Sequence, residues 1–268
     1  MTKENSLFRN RTFNLLIVTG IFAVLGFSIF LTTTTWYAVT VMESAGGLGL
    51  ILVAATIPRL MMMTFGGVFA DRYKKTTIMF STNLIQAFLL LLFFLLLVNN
   101  QLNLTWILIL SALFGGLDAF LGPASSSLIP KIVKKHQLQQ ANAYFQGVDQ
   151  LAFIGGPIIA GLVMQAANIE MSYLIATILV FLSAVFIFPS FIKEDVVEEM
   201  EKATPLQNLK EGFSYLKKSR FLVVGILVLI IANFFVFGSI HVAVPILVEL
   251  LDGSPIVTVK YKVTVFDN

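Results

Sequence analysis

Arg59, Asp118 and Asp149 each stand inside a long stretch of chain that is otherwise mostly apolar. A charge at the centre of a bilayer costs at least ~2.5–3.5 kcal/mol on insertion scales, so an intramembrane ionisable residue marks a coupling or substrate site by default. Arg59 and Asp118 lie ~12 residues from the nearer basic end of their stretches, ~18 Å deep at 1.5 Å per residue. Asp149 lies ~8 residues in, at ~12 Å. Arg59 is expected to pair with Asp118 or with Asp149, and one of the two carboxylates to exchange a proton. The competing reading is a permanent ion pair that only holds helices together.

Other residue types limit the chemistry by what they leave out. The sequence has no cysteine, and its two histidines, His136 and His241, fall in different segments. No metal-ligand spacing results, and no cofactor is expected. Nor does the sequence hold a nucleophile–base set or a phosphate-binding glycine loop, which argues against an enzyme. Gly155-Gly156-Pro157 removes side-chain bulk and one helical hydrogen bond, so Gly156 and Pro157 are expected to form a hinge or a tight helix crossing. Thr32 to Thr35, Gln146, Gln150, Asn233 and His241 are candidates to line an aqueous cavity, ranked below the charges; the alternative for the Thr run is hydroxyls satisfied within the helix.

The elements that must position these residues are seven apolar stretches, near residues 13–41, 47–70, 76–98, 104–129, 141–167, 171–192 and 221–251. Each is long enough for an α-helix to cross a ~30 Å hydrocarbon layer, which takes ~20 residues. Apolar and aromatic residues make up 57% of the chain and charged ones 12%, against roughly 25% charged in a soluble domain. The expected class is an all-α membrane protein. Fifteen of the 18 Lys and Arg residues precede span 1 or lie in the 2–3, 4–5 and 6–7 connections, whereas the 1–2, 3–4 and 5–6 connections have none. By the positive-inside rule the N-terminus is cytoplasmic, in a multi-pass cell-membrane protein of bacterial plasma-membrane type. Dispersal of the basic residues among short loops argues against a nucleic-acid partner. The lipid bilayer is the expected one.

Between spans 2 and 3 stands Gly66-Gly67-Val68-Phe69-Ala70-Asp71-Arg72-Tyr73-Lys74-Lys75. Here the chain resembles the major facilitator superfamily, whose signature at this place reads G-x-L-a-D-r-x-G-r-k. Gly67, Ala70, Asp71, Arg72 and Lys75 match it, while Phe69 and Lys74 depart from it. The resemblance implies that Gly67, Asp71, Arg72 and Lys75 form a gating motif, a carboxylate among cations that differs between two packings. Leu138, Ala141-Asn142-Ala143, Gly155-Gly156-Pro157 and Gly161 are similar to the macrolide-efflux and enterobactin-exporter branch of drug–proton antiporters. That branch implies proton-coupled efflux of small lipophilic molecules such as drugs or macrolides. Its usual arginine in span 4 is replaced by Phe114.

The expected organisation is a six-helix N-terminal bundle (1–192), a cytoplasmic linker with an amphipathic helix (193–220), a seventh transmembrane helix (221–251) and a non-family tail (252–268). In the family this is one half of the fold plus span 7, so the resemblance implies a chain cut short. Such a chain would act with a complementing transporter half or as a homodimer, or persist as a transport-inactive remnant or interaction partner.

Overall fold

The computed structural model describes residues 7–42, 45–192, 219–238 and 246, and the side chain of Asp71 lies outside that description. Among the described residues all regular structure is helical. The long helices are α1 (Arg11–Thr40), α2 (Ala45–Arg72), α3 (Lys75–Val98), α4 (Leu104–Asp118), α5 (Leu121–Ile132), α6 (Leu138–Ala166), α7 (Ile169–Phe186) and α8 (Arg220–Gly238). Short 3-10 turns cover Leu7–Arg9, Lys135–Gln137 and Pro189–Phe191. The expected linker at 193–218, the tail at 252–268 and His241 fall outside the described residues, as does most of span 7 beyond Gly238.

Asparagines start three of these helices. Asn10 accepts from the Thr12 and Phe13 amides, Asn103 from Trp106 and Asn168 from Met171. Each cap satisfies amides that have no partner inside the helix. Among the described residues six segments are long and apolar enough to cross a membrane: Arg11–Thr40, Gly46–Met63, Lys75–Val98, Leu104–Ile132, Lys135–Ala166 and Ile169–Phe186. α1 packs along α6 and α7, α2 along α4, and α3 along α7 and α5.

Polarity runs inside out. Thr19, Asn83, Gln86, Ser111, Ser172 and Ser183 are buried, whereas Ile85, Phe88, Leu92 and Leu95 form an exposed stripe at helical spacing on α3. Lipid tails offer no hydrogen bonds, so polar groups must meet one another inside the bundle while apolar faces turn outward. Asn83 donates to Ser183, which donates to the Thr19 carbonyl, joining α3, α7 and α1.

Three expectations are corrected. Span 4, expected unbroken over 104–129, is α4 and α5 separated at Ala119–Phe120. Pro123 has no amide to bond the Ala119 carbonyl and its ring crowds that group, so the helix yields there. Span 6 ends as an α-helix at Phe186 rather than at 192, because Pro189 disfavours α geometry in the extended Phe188 before it. The Thr32–Thr35 run does not line a cavity. All four residues are buried; Thr33 bonds the Ile29 carbonyl and Ser172, Thr34 bonds the Tyr173 hydroxyl, and Thr35 bonds the Thr32 carbonyl.

Candidate functional site

Helix α2 carries Arg59 one residue beyond Pro58, and α4 ends at Asp118. Their packing places Arg59 Nη2 3.0 Å from Asp118 Oδ2, so of the two expected partners Asp118 is the one that pairs. The aspartate is 13% exposed and the arginine 48%, so the pair is anchored in the bundle but keeps one open side. The guanidinium also lies over the Phe27 ring of α1, 5.7 Å from its centroid, an attraction that strengthens where water is excluded. From α3, Gln86 donates to the Phe114 carbonyl at 3.3 Å, one turn before Asp118. Three helices therefore meet at one ion pair, with α3 packed on α4 beside it.

Phe114 is where the resemblance implied an arginine. It is buried, stacked on Phe27 at 5.9 Å and packed on Phe30 at 4.7 Å. The aromatic column continues through Phe93 to Tyr173, whose rings stack at 5.4 Å. A column of this kind positions the ion pair but carries no charge.

Asp149 stands apart from this pair. Its α6 helix crosses α1 so closely that a Cβ on Gly20 would come within 2.9 Å of Asp149 Oδ1. That oxygen is buried and has no hydrogen-bond partner among the described residues. One carboxylate is thus paired with a guanidinium, and the other has its Oδ1 held against a glycine without a hydrogen-bond partner among the described residues.

The same α1–α6 crossing holds the expected hinge. α6 runs through Pro157 without a break. Proline leaves the Phe153 carbonyl, four residues back, without its helical donor. Ser28 of α1 supplies the missing bond, its Oγ donating to Phe153 O at 2.7 Å. Any side chain at Gly156 would collide with Ser28, so Gly156 and Pro157 make a tight crossing, one of the two arrangements expected of them.

The residues of the expected gating motif are brought together only in part. Gly67 faces open space; its neighbour Gly66 makes the close approach, lying against the Ala119 carbonyl at the α4–α5 break. Arg72 ends α2 and is exposed, whereas Lys75 is buried at the start of α3 with Nζ donating to the Tyr73 carbonyl at 3.3 Å. Phe69 meets Phe120 edge to face at 5.6 Å, tying the motif to the same break. Gln146 and Gln150 lie on the exposed face of α6, and the Asn233 side chain lies outside the described residues. Sequence reasoning did not single out Gln86, Phe27 or Ser28. A glutamine within an apolar span was a visible signal for Gln86, but nothing in the sequence marks the other two.

Comparison with known proteins places this geometry in context. The Major Facilitator Superfamily pattern matches residues 16–263. An uncharacterized MFS-type transporter of Bacillus subtilis, YvqJ, is 26% identical over 97% of this chain and 63% of its own length. A second from the same organism, YfiS, is 27% identical over 78% of this chain and 49% of its own. The staphyloferrin A transporter of Staphylococcus aureus is 22% identical over 74% of this chain and 51% of its own length. The chain therefore spans between about half and under two thirds of these curated relatives.

Proposed function

The chain belongs to the major facilitator superfamily, and on that premise we propose that it carries small lipophilic molecules out of the cell in exchange for protons. The members of this family rock two six-helix halves about a midplane site. This chain is assigned the N-terminal half, in the cell membrane with its N-terminus cytoplasmic, working with a complementing half or a second copy. Arg59 is half-exposed beside Leu60, Met61 and Met63, which are all exposed, and on this reading that face of α2 meets the second half. Flexible thioethers accommodate apolar ligands of varied shape. One relative is named for staphyloferrin A, so the substrate range of such chains is not confined to macrolides.

The observation that carries the reading is the contrast between the two carboxylates. Asp118 is matched by Arg59, whereas Asp149 Oδ1 is buried without a partner among the described residues; on this reading Asp149 takes the proton. The charged or titratable groups on the elements packed against α6 are Arg11, Tyr37, Lys131, Lys135, His136, Tyr173 and Glu170. None of them forms an ion pair with Asp149 among the described residues.

The test is uptake of a fluorescent lipophilic drug into inverted vesicles, with and without an imposed pH gradient. Asp149→Asn should erase the response to the gradient while leaving slow equilibration. Asp118→Asn should keep the response but lower the yield of folded protein, because it strands Arg59 in the membrane. Full gradient-driven uptake by Asp149→Asn would discard Asp149 as the proton carrier. A wild-type chain that moves no drug under either condition would favour the transport-inactive reading.

A further inference from the structure

A cavity of about 490 Å³ opens at one end of the bundle, lined by Leu7, Arg9, Asn10, Lys131, Ile132, Val133, Lys134 and Gln137. Three cations line it, and among the described residues no carboxylate does. The three are contributed by different segments: the turn before α1, the end of α5 and the connection to α6.

The walls are built rather than incidental. Asn10 caps α1 through its Oδ1, and its Nδ2 donates to the Ile132 carbonyl at 2.5 Å, fixing the start of α1 against the end of α5. That bond also consumes a carbonyl at the negative end of α5 that would otherwise face the cations. Two helices, α1 and α6, begin at the cavity and point their positive ends toward it. Leu7 closes the apolar floor; it is 4% exposed and packs in one cluster with Phe13, Leu16, Leu128 and Ile129. The cavity thus combines an apolar floor, positive helix ends and three cations at the level where a membrane helix leaves the hydrocarbon.

We propose that this cavity binds the phosphate of an anionic phospholipid headgroup, with Arg9, Lys131 and Lys134 as its cationic ligands. Basic pockets between transmembrane helices on the cytoplasmic side suit such headgroups. The positive-inside rule alone requires only that the loops carry charge, at any position. It does not require three segments to bring their cations to one cavity, nor a capping residue that joins two helices across it. The chemistry of the ligand is a phosphate monoanion carried on an acyl-chain body, so the source we commit to is the bilayer rather than a free phosphate.

The neighbouring residues provide the control. Arg11 and Lys135 sit two residues and one residue from Arg9 and Lys134, carry the same charge on the same connections, and do not line the cavity. The full chain is reconstituted in phosphatidylcholine nanodiscs, and phosphatidylglycerol binding is read by native mass spectrometry for wild type, Arg9→Gln/Lys134→Gln and Arg11→Gln/Lys135→Gln. The first pair should weaken binding about tenfold or more, and the second less than about twofold. Arg9→Lys/Lys134→Arg should recover most of it. Equal losses from the two pairs would overturn the site in favour of diffuse surface charge. Saturable binding of sn-glycerol 3-phosphate at the strength of the lipid would overturn the bilayer as its source. The readout needs no transport activity, so it stands whether or not the transport reading survives.

Discussion

At the scale of single residues, closeness of approach decides which positions tolerate change. Gly115 of α4 lies so near α2 that an added Cβ would run into the Ala55 carbonyl oxygen, a backbone atom that cannot rotate away. Gly115→Ala should therefore cost about 1–3 kcal/mol, the usual scale for overpacking. Gly49→Ala, which meets nothing within 4 Å, should be neutral or stabilise by about 0.5–1 kcal/mol through lower backbone entropy in the unfolded chain. Equilibrium unfolding in mixed detergent micelles compares them; similar losses at both sites would refute the close α2–α4 crossing. Residue type had flagged the intramembrane charges, since a bare charge in lipid is costly enough to demand a partner. It did not choose between Asp118 and Asp149. That choice depends on how α2 and α6 are rotated about their own axes, and each has polar residues scattered around its circumference. The same limit applies to Phe114, whose place in an aromatic column follows from α1 and α3 rather than from its own span.

At the scale of elements, proline repair is the recurring device. Pro157 and Pro123 each deprive a carbonyl of its helical donor, and the two outcomes differ because their surroundings differ. Ser28 reaches the Phe153 carbonyl and α6 stays continuous, whereas at Ala119 the chain breaks into α4 and α5 with Gly66 against the freed oxygen. Ser28→Ala should thus cost about 0.5–1.5 kcal/mol, the range for interhelical hydrogen bonds in membranes. In a Pro157→Ala background the amide returns, α6 satisfies its own carbonyl, and the cost of Ser28→Ala should fall to near zero. A double-mutant cycle by the same unfolding measurement reads the difference; an unchanged cost would show that Ser28 acts through packing alone. The prolines were legible in the sequence. What was not legible was the presence of a hydroxyl on another helix, 125 residues away, that rescues one of the two carbonyls.

At the scale of the whole molecule, the long apolar helices were the most legible feature, because hydrocarbon thickness acts on the sequence directly. Among the described residues six membrane-length apolar segments are present in the expected order, and because each crosses once, every second connection faces the same side. The assignment of that side as cytoplasmic rests on charge: Lys131, Lys134 and Lys135 occupy one connection, and the connection from Asn99 to Asn103 holds no Lys or Arg. With no cysteine in the sequence, single-cysteine variants report topology without a prepared background. Gln101→Cys, exposed between α3 and α4, should react with a membrane-impermeant maleimide in intact cells. His136→Cys, exposed between α5 and α6, should react only after permeabilisation. The reverse pattern would invert the bundle, and its consequences reach the finer claims. Arg9, Lys131 and Lys134 would then face the other leaflet, and a proton reaching Asp149 from the end at which α6 begins would come from outside the cell rather than from within.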